Sequence, residues 1–191
     1  VLGSAKGWAG GFLYNPKAKA ALDRFYQRED TLSLGICNGC QLMMELNLIN
    51  PEFEERGRML HNDSHKFESS FVGVNIPSNN SVLFKSLAGS KLGVWVAHGE
   101  GKFSLPYEAG MYNIVAQYAY DGYPANPNGS DYNVAAIASA NGRHVAMMPH
   151  PERAVFPWQC AYYPADRLGD DVTPWIEIFR NAYNWVAEKT K

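Results

Sequence analysis

A cysteine with glycine two residues before and two after it lies in Gly35-Ile36-Cys37-Asn38-Gly39-Cys40-Gln41. A histidine between prolines, with an acid close behind, lies in Met148-Pro149-His150-Pro151-Glu152-Arg153. These are the residue types needed for nucleophilic chemistry on a carbonyl carbon. A thiol attacks well only when a base takes or shares its proton, and that base works best when a third group fixes its tautomer and stabilises its charged form. Cys37, His150 and Glu152 supply nucleophile, base and orienting acid, in that chain order. The reaction they suit is acyl transfer through a thioester.

Positioning such groups needs particular elements. Residues 31–36 are an apolar run and residues 38–48 read as a helix, so Cys37 falls on a sharp strand-to-helix turn, a nucleophile elbow with sulfur in place of oxygen. Glycines at 35 and 39 suit that turn, because side chains there would crowd it and the substrate's approach. The helix N-terminus just after Cys37 favours negative charge on the sulfur. Pro149 and Pro151 fix the backbone on both sides of His150. Further strand-like runs lie at 71–76, 92–97, 114–118, 134–138 and 144–148, short and rich in β-branched and aromatic residues. Helix-like runs lie at 16–28, 38–48 and 174–189, the last with Thr173 as N-cap and Pro174 at its first position. The expected fold class is α/β, with a mixed, mostly parallel central sheet flanked by helices. Part of that sheet must be antiparallel, because the spacings between residues 71 and 148 leave no room for a helix between every pair of strands. Residues 3–11 read as a glycine-rich loop, and residues 101–111 and 121–130 as surface or partner-facing loops.

Composition narrows the class. The 191 residues, 46% of them hydrophobic, suit one domain over 1–191 with a substantial core. Seventeen basic against nineteen acidic residues, with no basic run, give no reason to expect nucleic acid or a membrane surface as partner. Three cysteines do not make a disulfide framework, and nothing resembles a signal peptide or spanning helix, so a reducing cytoplasm is the expected location. No glycine-rich phosphate loop with a following lysine and no magnesium-type carboxylate cluster occurs, so no cofactor is expected in this domain. In His98-Gly99-Glu100-Gly101 one histidine and one glutamate are too few for a metal site. A structural hydrogen bond accounts for His98 equally well. Cys40 lies one helical turn past Cys37 and faces inward on this reading, and Cys160 has no catalytic company. The opening Val1-Leu2-Gly3-Ser4 lacks an initiating methionine, and a fragment of a longer polypeptide is expected.

Four separated motifs taken together carry a resemblance: residues 35–41, His98-Gly99-Glu100-Gly101, Tyr123-Pro124-Ala125-Asn126-Pro127-Asn128-Gly129-Ser130, and residues 148–153. Their order and spacing resemble the C-terminal class I glutamine amidotransferase domains of large, single-chain phosphoribosylformylglycinamidine synthases, and the match extends through residues 175–182. The resemblance implies a flavodoxin-like fold, N-terminally truncated here, without its first strands and a Gly-Gly segment whose amide helps bind the oxyanion. Losing one such donor costs about a hundredfold to a thousandfold in rate. It also implies that glutamine is the substrate, with Gln41, Asn38, Ser64 and His98 as substrate-binding candidates beside Cys37, His150 and Glu152. Arg58, Asn62, Ser64, Phe67 and Glu68 match the family's pattern, whereas His61 stands where arginine is common. The implied partners are synthetase domains of the same polypeptide, which use ATP and Mg and take up the ammonia to turn formylglycinamide ribonucleotide into its amidine. Two alternatives share the same elbow: a stand-alone γ-glutamyl hydrolase or peptidase, and an inactive amidotransferase-like scaffold.

Overall fold

The computed structural model describes residues 3–189; Val1 and Leu2, on which the fragment reading partly rests, and the last two residues lie outside the described residues. The chain opens with two helices, α1 (Ser4–Tyr14) and α2 (Pro16–Gln27), then β1 (Ser33–Ile36) and α3 (Asn38–Glu45). β2 (Arg58–Leu60), β3 (Glu68–Asn75), β4 (Lys91–His98), β5 (Lys102–Ser104), β6 (Asn113–Tyr118), β7 (Val134–Ala138) and β8 (His144–Met147) follow, and α4 (Ile176–Lys189) ends the described chain.

Six strands form one sheet in the order β1-β8-β7-β6-β3-β4, and β2 pairs with β5 in a separate ribbon. The sheet is mixed and flanked by helices, as expected, but its balance is the reverse of the expected one. Only β1 and β8 run parallel; the other four pairings are antiparallel. Chain length explains the β7–β8 pairing. Between β7 and β8 the link is residues 139–143, far too short for the crossover that parallel neighbours require. β7 and β8 are buried at every residue, as strands covered on both faces should be. Along β8 the side chains alternate between two cores. Val145 and Met147 join Trp175 and Ile178 beneath α4, while Ala146 and the following Met148 join Cys40, Met43 and Met44 of α3.

The pairing of β3 with β6 covers only Val74↔Tyr118 and Asn75↔Gln117, and β6 is irregular against β7. Irregular registers bend strands. The β3–β4 hairpin consequently swings round until the outer edge of β4 reaches the segment after β8, where the His150 amide donates to the Trp95 carbonyl at 2.8 Å. Two strands far apart in the sheet order are thereby joined at the point where chemistry was expected.

Several sequence readings change. Residues 3–11 are not a loop: α1 includes Gly7, Gly10 and Gly11, and its Ala5 and Ala9 are buried as it packs on α3. Each glycine costs a helix about 1 kcal/mol, which this docking outweighs. α3 stops at Glu45 rather than 48, because Asn47 takes a left-handed φ of 52° while Leu48 N–H bonds to the Met43 carbonyl and Asn47 N–H to that of Met44. That is the hydrogen-bond pattern of a Schellman stop with asparagine in place of glycine. The loop at 121–130 is surface only in part: Tyr123 is exposed, but Asn126, Asn128 and Ser130 are buried. The short β2 and β5, at three residues each, gave no periodic signal to read.

Candidate active site

Cys37 is the residue between β1 and α3. Its amide continues the β1–β8 ladder by donating to the Met147 carbonyl at 2.8 Å, and its carbonyl accepts from the Gln41 amide at 3.0 Å, closing the first turn of α3. Serving a strand on one side and a helix on the other forces φ 52°, ψ −104°, a conformation that non-glycine residues rarely adopt. Gly35 makes the turn possible: a Cβ there would meet Met43 Sδ at 2.4 Å and the Gly39 carbonyl oxygen at 2.7 Å. The crowding argument does not extend to Gly39, whose Cβ would enter open space.

His150 arrives from β8. Its backbone is pinned to β4, its side chain is buried, and Nδ1 lies 2.6 Å from Glu152 Oε1. At Nε2 it has no hydrogen bond of ordinary length, and the Cys37 thiol lies within electrostatic reach. Burial opposes charge on this ring, but Cys37 and Glu152 outweigh it and raise its pKa to about 9. Burial would also push the Glu152 carboxyl upward, yet the His150 hydrogen bond dominates and holds it below the usual carboxylate range. The three expected residues therefore meet, with the ring between sulfur and carboxylate. The thiol also points toward the Ala97 carbonyl of β4, at 3.7 Å.

A small pocket opens beside the sulfur, lined by Gln41, Phe67, Ala97, His98, Gly99 and Glu100 together with Cys37. Gln41 is buried; its amide nitrogen donates to the Glu100 carbonyl at 2.7 Å, and its Oε1 has no partner among the described residues. His98 is 2% exposed with neither ring nitrogen hydrogen-bonded. Its pKa is lowered to about 4, chiefly by burial and further by the charge of His150, so it is neutral where His150 is charged. Gly101 allows this close packing, since a Cβ there would stand 2.5 Å from His98 Nδ1.

The other two candidates point elsewhere. Asn38 Oδ1 accepts from Ser4 Oγ of α1 at 2.9 Å. Ser64 lines a separate depression with Asp63, Tyr123 and Asn126. Among the described residues no group of three or more His, Cys, Asp or Glu side chains is placed to hold a metal ion, and no helix is long and apolar enough to cross a membrane.

Sequence reasoning did not find what holds the pocket wall. Asn62, completely buried, donates through Nδ2 to the carbonyls of His98 and Lys66 and accepts from the Gly101 amide through Oδ1. Asn128 donates to the Gly101 carbonyl at 2.7 Å and to Tyr118 Oη at 3.0 Å. Glu100 also reaches α1, accepting from the Gly3 amide at 3.1 Å. Asn62 and Asn128 stood within quoted motifs, but their type and spacing alone did not separate scaffold from substrate contact.

An elbow cysteine paired with a His-Pro-Glu loop across a mixed α/β sheet is a glutamine amidotransferase arrangement, and the chain belongs to the CobB/CobQ-like glutamine amidotransferase domain family, whose pattern matches residues 1–186. More particularly, it is 40% identical over 211 residues to phosphoribosylformylglycinamidine synthase of Drosophila melanogaster, a match covering 100% of this chain and 16% of that protein. It is 41% identical over 208 residues to the probable chloroplastic/mitochondrial phosphoribosylformylglycinamidine synthase of Arabidopsis thaliana, covering 97% of this chain and 15% of that one. The chain thus spans about one sixth of the length of these relatives. Among solved structures, PurLQS from Thermotoga maritima is similar with a TM-score of 0.59 and 27% identity, covering 91% of this chain and 66% of that chain.

Proposed function

We propose that this domain hydrolyses glutamine to glutamate and ammonia through Cys37, His150 and Glu152. The observation that carries the reading is the Cys37 elbow facing an imidazole whose other nitrogen lies 2.6 Å from a carboxylate. Cys37 sulfur attacks the side-chain amide carbon, and the backbone N–H of Asn38, next after the nucleophile at the start of α3, is the elbow's donor for the oxyanion that forms. His150, protonated at neutral pH, gives its proton to the departing ammonia. The neutral ring then draws a proton from water, whose oxygen attacks the glutamyl thioester and releases glutamate. Glu152 keeps Nδ1 oriented and supports the charged ring. Gln41 and His98 border the sulfur with unpartnered polar atoms, which suits them to hold a zwitterionic amino acid.

The acceptor belongs to the wider protein. Both relatives cited are synthases of formylglycinamidine ribonucleotide and far longer than this chain. The ammonia is accordingly destined for an ATP- and Mg-dependent synthetase part of the same polypeptide, where it converts formylglycinamide ribonucleotide to the amidine.

The test is labelling with a glutamine-like diazo-ketone, mapped by peptide mass, with Cys40 and Cys160 as internal controls. Selective, glutamine-protected labelling of Cys37 is expected. Equal labelling of all three thiols, or none, would overturn the assignment. Adding the synthetase part should raise ammonia transfer; identical activity with and without it would defeat the coupling.

A further inference from the structure

Cys37 is followed three residues later by Cys40, and the pair straddles the first turn of a helix that begins directly after a strand. A Cys-x-x-Cys pair at a helix N-terminus is the sequence context of reversible dithiol chemistry. Here the turn between them is closed by the Gln41 amide bonding to the Cys37 carbonyl at 3.0 Å. Residues three apart on such a turn have Cα atoms about 5 Å apart, inside the window of roughly 4.4–6.8 Å that a disulfide spans. Helical side chains also tilt toward the N-terminus, which leans Cys40 toward Cys37. The two belong to one packed cluster, and Cys37 acts electrostatically on the Cys40 thiol. Cys40 is 0% exposed, and burial followed by the neighbouring Cys37 pushes its thiol well up. It therefore stays protonated at rest and leaves the first attack on peroxide to Cys37. Cys37 lines the open pocket and meets solutes first.

We propose that Cys37 is a reversible oxidation site for hydroperoxides, with Cys40 as the resolving thiol that closes a Cys37–Cys40 disulfide. In the first step the Cys37 thiolate attacks one peroxide oxygen and the O–O bond breaks. The departing hydroxide takes the His150 proton and leaves as water, and Cys37 becomes a sulfenic acid. Cys40 sulfur then attacks Cys37 sulfur, the S–O bond breaks, and the leaving hydroxide takes the Cys40 proton as a second water. Two thiols lose two electrons in all, and one peroxide becomes two waters. The disulfide withdraws the nucleophile from glutamine and shields it from irreversible over-oxidation, and a small thiol of the glutathione class restores it.

Loss of activity on oxidation rests on the glutaminase reading, whereas the disulfide itself does not, so both are measured. Protein is treated with hydrogen peroxide, divided, and half is reduced with dithiothreitol; peptide masses and glutaminase rates are read in parallel. The wild type should yield a Cys37–Cys40 peptide lighter by two hydrogens, and dithiothreitol should reverse both the mass change and the activity loss. Cys40→Ala and Cys40→Ser, checked for cooperative melting, should instead carry two added oxygens on Cys37 and recover at least about tenfold less activity. Wild-type Cys37 with two added oxygens beside a free Cys40 would overturn the proposal, as would a Cys37–Cys160 link. Equal recovery in wild type and variants would do the same. If the variants fail to fold, the wild-type masses decide alone. A reversible disulfide in a protein with no glutaminase activity would sink the functional reading and leave the oxidation site standing.

Discussion

His150 gains its proton affinity from neighbours on both sides, and this makes its two partners separable by experiment. Replacing Glu152 with glutamine removes a charge that raises the His150 pKa and leaves at most a neutral hydrogen bond to Nδ1, so the alkaline limb of the glutaminase profile, set near 9, should move to lower pH. Turnover should fall by about 10²–10⁴-fold, the range general acid–base catalysis contributes, while Cys37 remains open to alkylation. Measuring kcat from pH 6 to 10 in both proteins checks this; an unmoved limb with full activity would remove Glu152 from the triad. His98 stands in deliberate contrast. Its own pKa of about 4 keeps it uncharged through the same range, so any part it takes in binding is that of a neutral hydrogen-bonding group.

Elements impose the next constraint, because the elbow and the pocket wall are held by backbone geometry as much as by side chains. Gly35→Ala places a methyl against backbone that cannot yield, and overpacking of this kind costs about 1–3 kcal/mol. Its melting temperature and activity should drop together. Gly39→Ala, in the first turn of α3 with open space around it, should melt at the same temperature or higher, since alanine is the better helix former by up to about 1 kcal/mol. A melt of both variants tells whether the turn or the whole segment demands glycine. Asn62→Ala would strand buried groups on the His98–Gly101 segment, each costing about 1–3 kcal/mol. Its signature should be a raised KM for glutamine exceeding any change in kcat; an unchanged KM would mean that the wall holds without it.

Across the whole molecule three histidines set how stability depends on pH. Burial lowers His98 to about 4 and His144, packed against Tyr26 and hydrogen-bonded with Ser33, also to about 4. Unfolded histidines bind protons near 6.5, so between pH 6.5 and 4 the unfolded chain takes up more protons and stability falls as pH falls. His150 has the opposite sign. Its folded pKa of about 9 exceeds the unfolded value, so its contribution is full below 6.5 and is lost as pH rises through 9. Stability should therefore peak near pH 6.5, and His144→Gln should flatten the acid side alone by a few °C. Melting temperatures across pH 4 to 10 provide the check.

Local chemistry was legible wherever one segment contained its own cause. The apolar run, the glycine two residues before Cys37 and the helix after it specify an elbow without help from the rest of the chain, and the His-Pro-Glu segment carries base and acid within three residues. The family pattern, the mixed α/β class and most strands followed from such short-range signals. What the sequence could not contain was distance across the fold. The antiparallel β7–β8 pairing follows from the short link over residues 139–143, but the placing of β3 beside β6 does not, and the meeting of His150 with β4 arises from a sheet that curls because β3 touches β6 at only two positions. Docking on α3 turned a glycine-rich opening into a helix, and long-range hydrogen bonds made Asn62 and Asn128 the fasteners of the pocket. Residue type and local spacing determined which groups can react. Tertiary packing decided which of them share one site, because proximity between residues more than a hundred positions apart is a property of the curled sheet and of no segment within it.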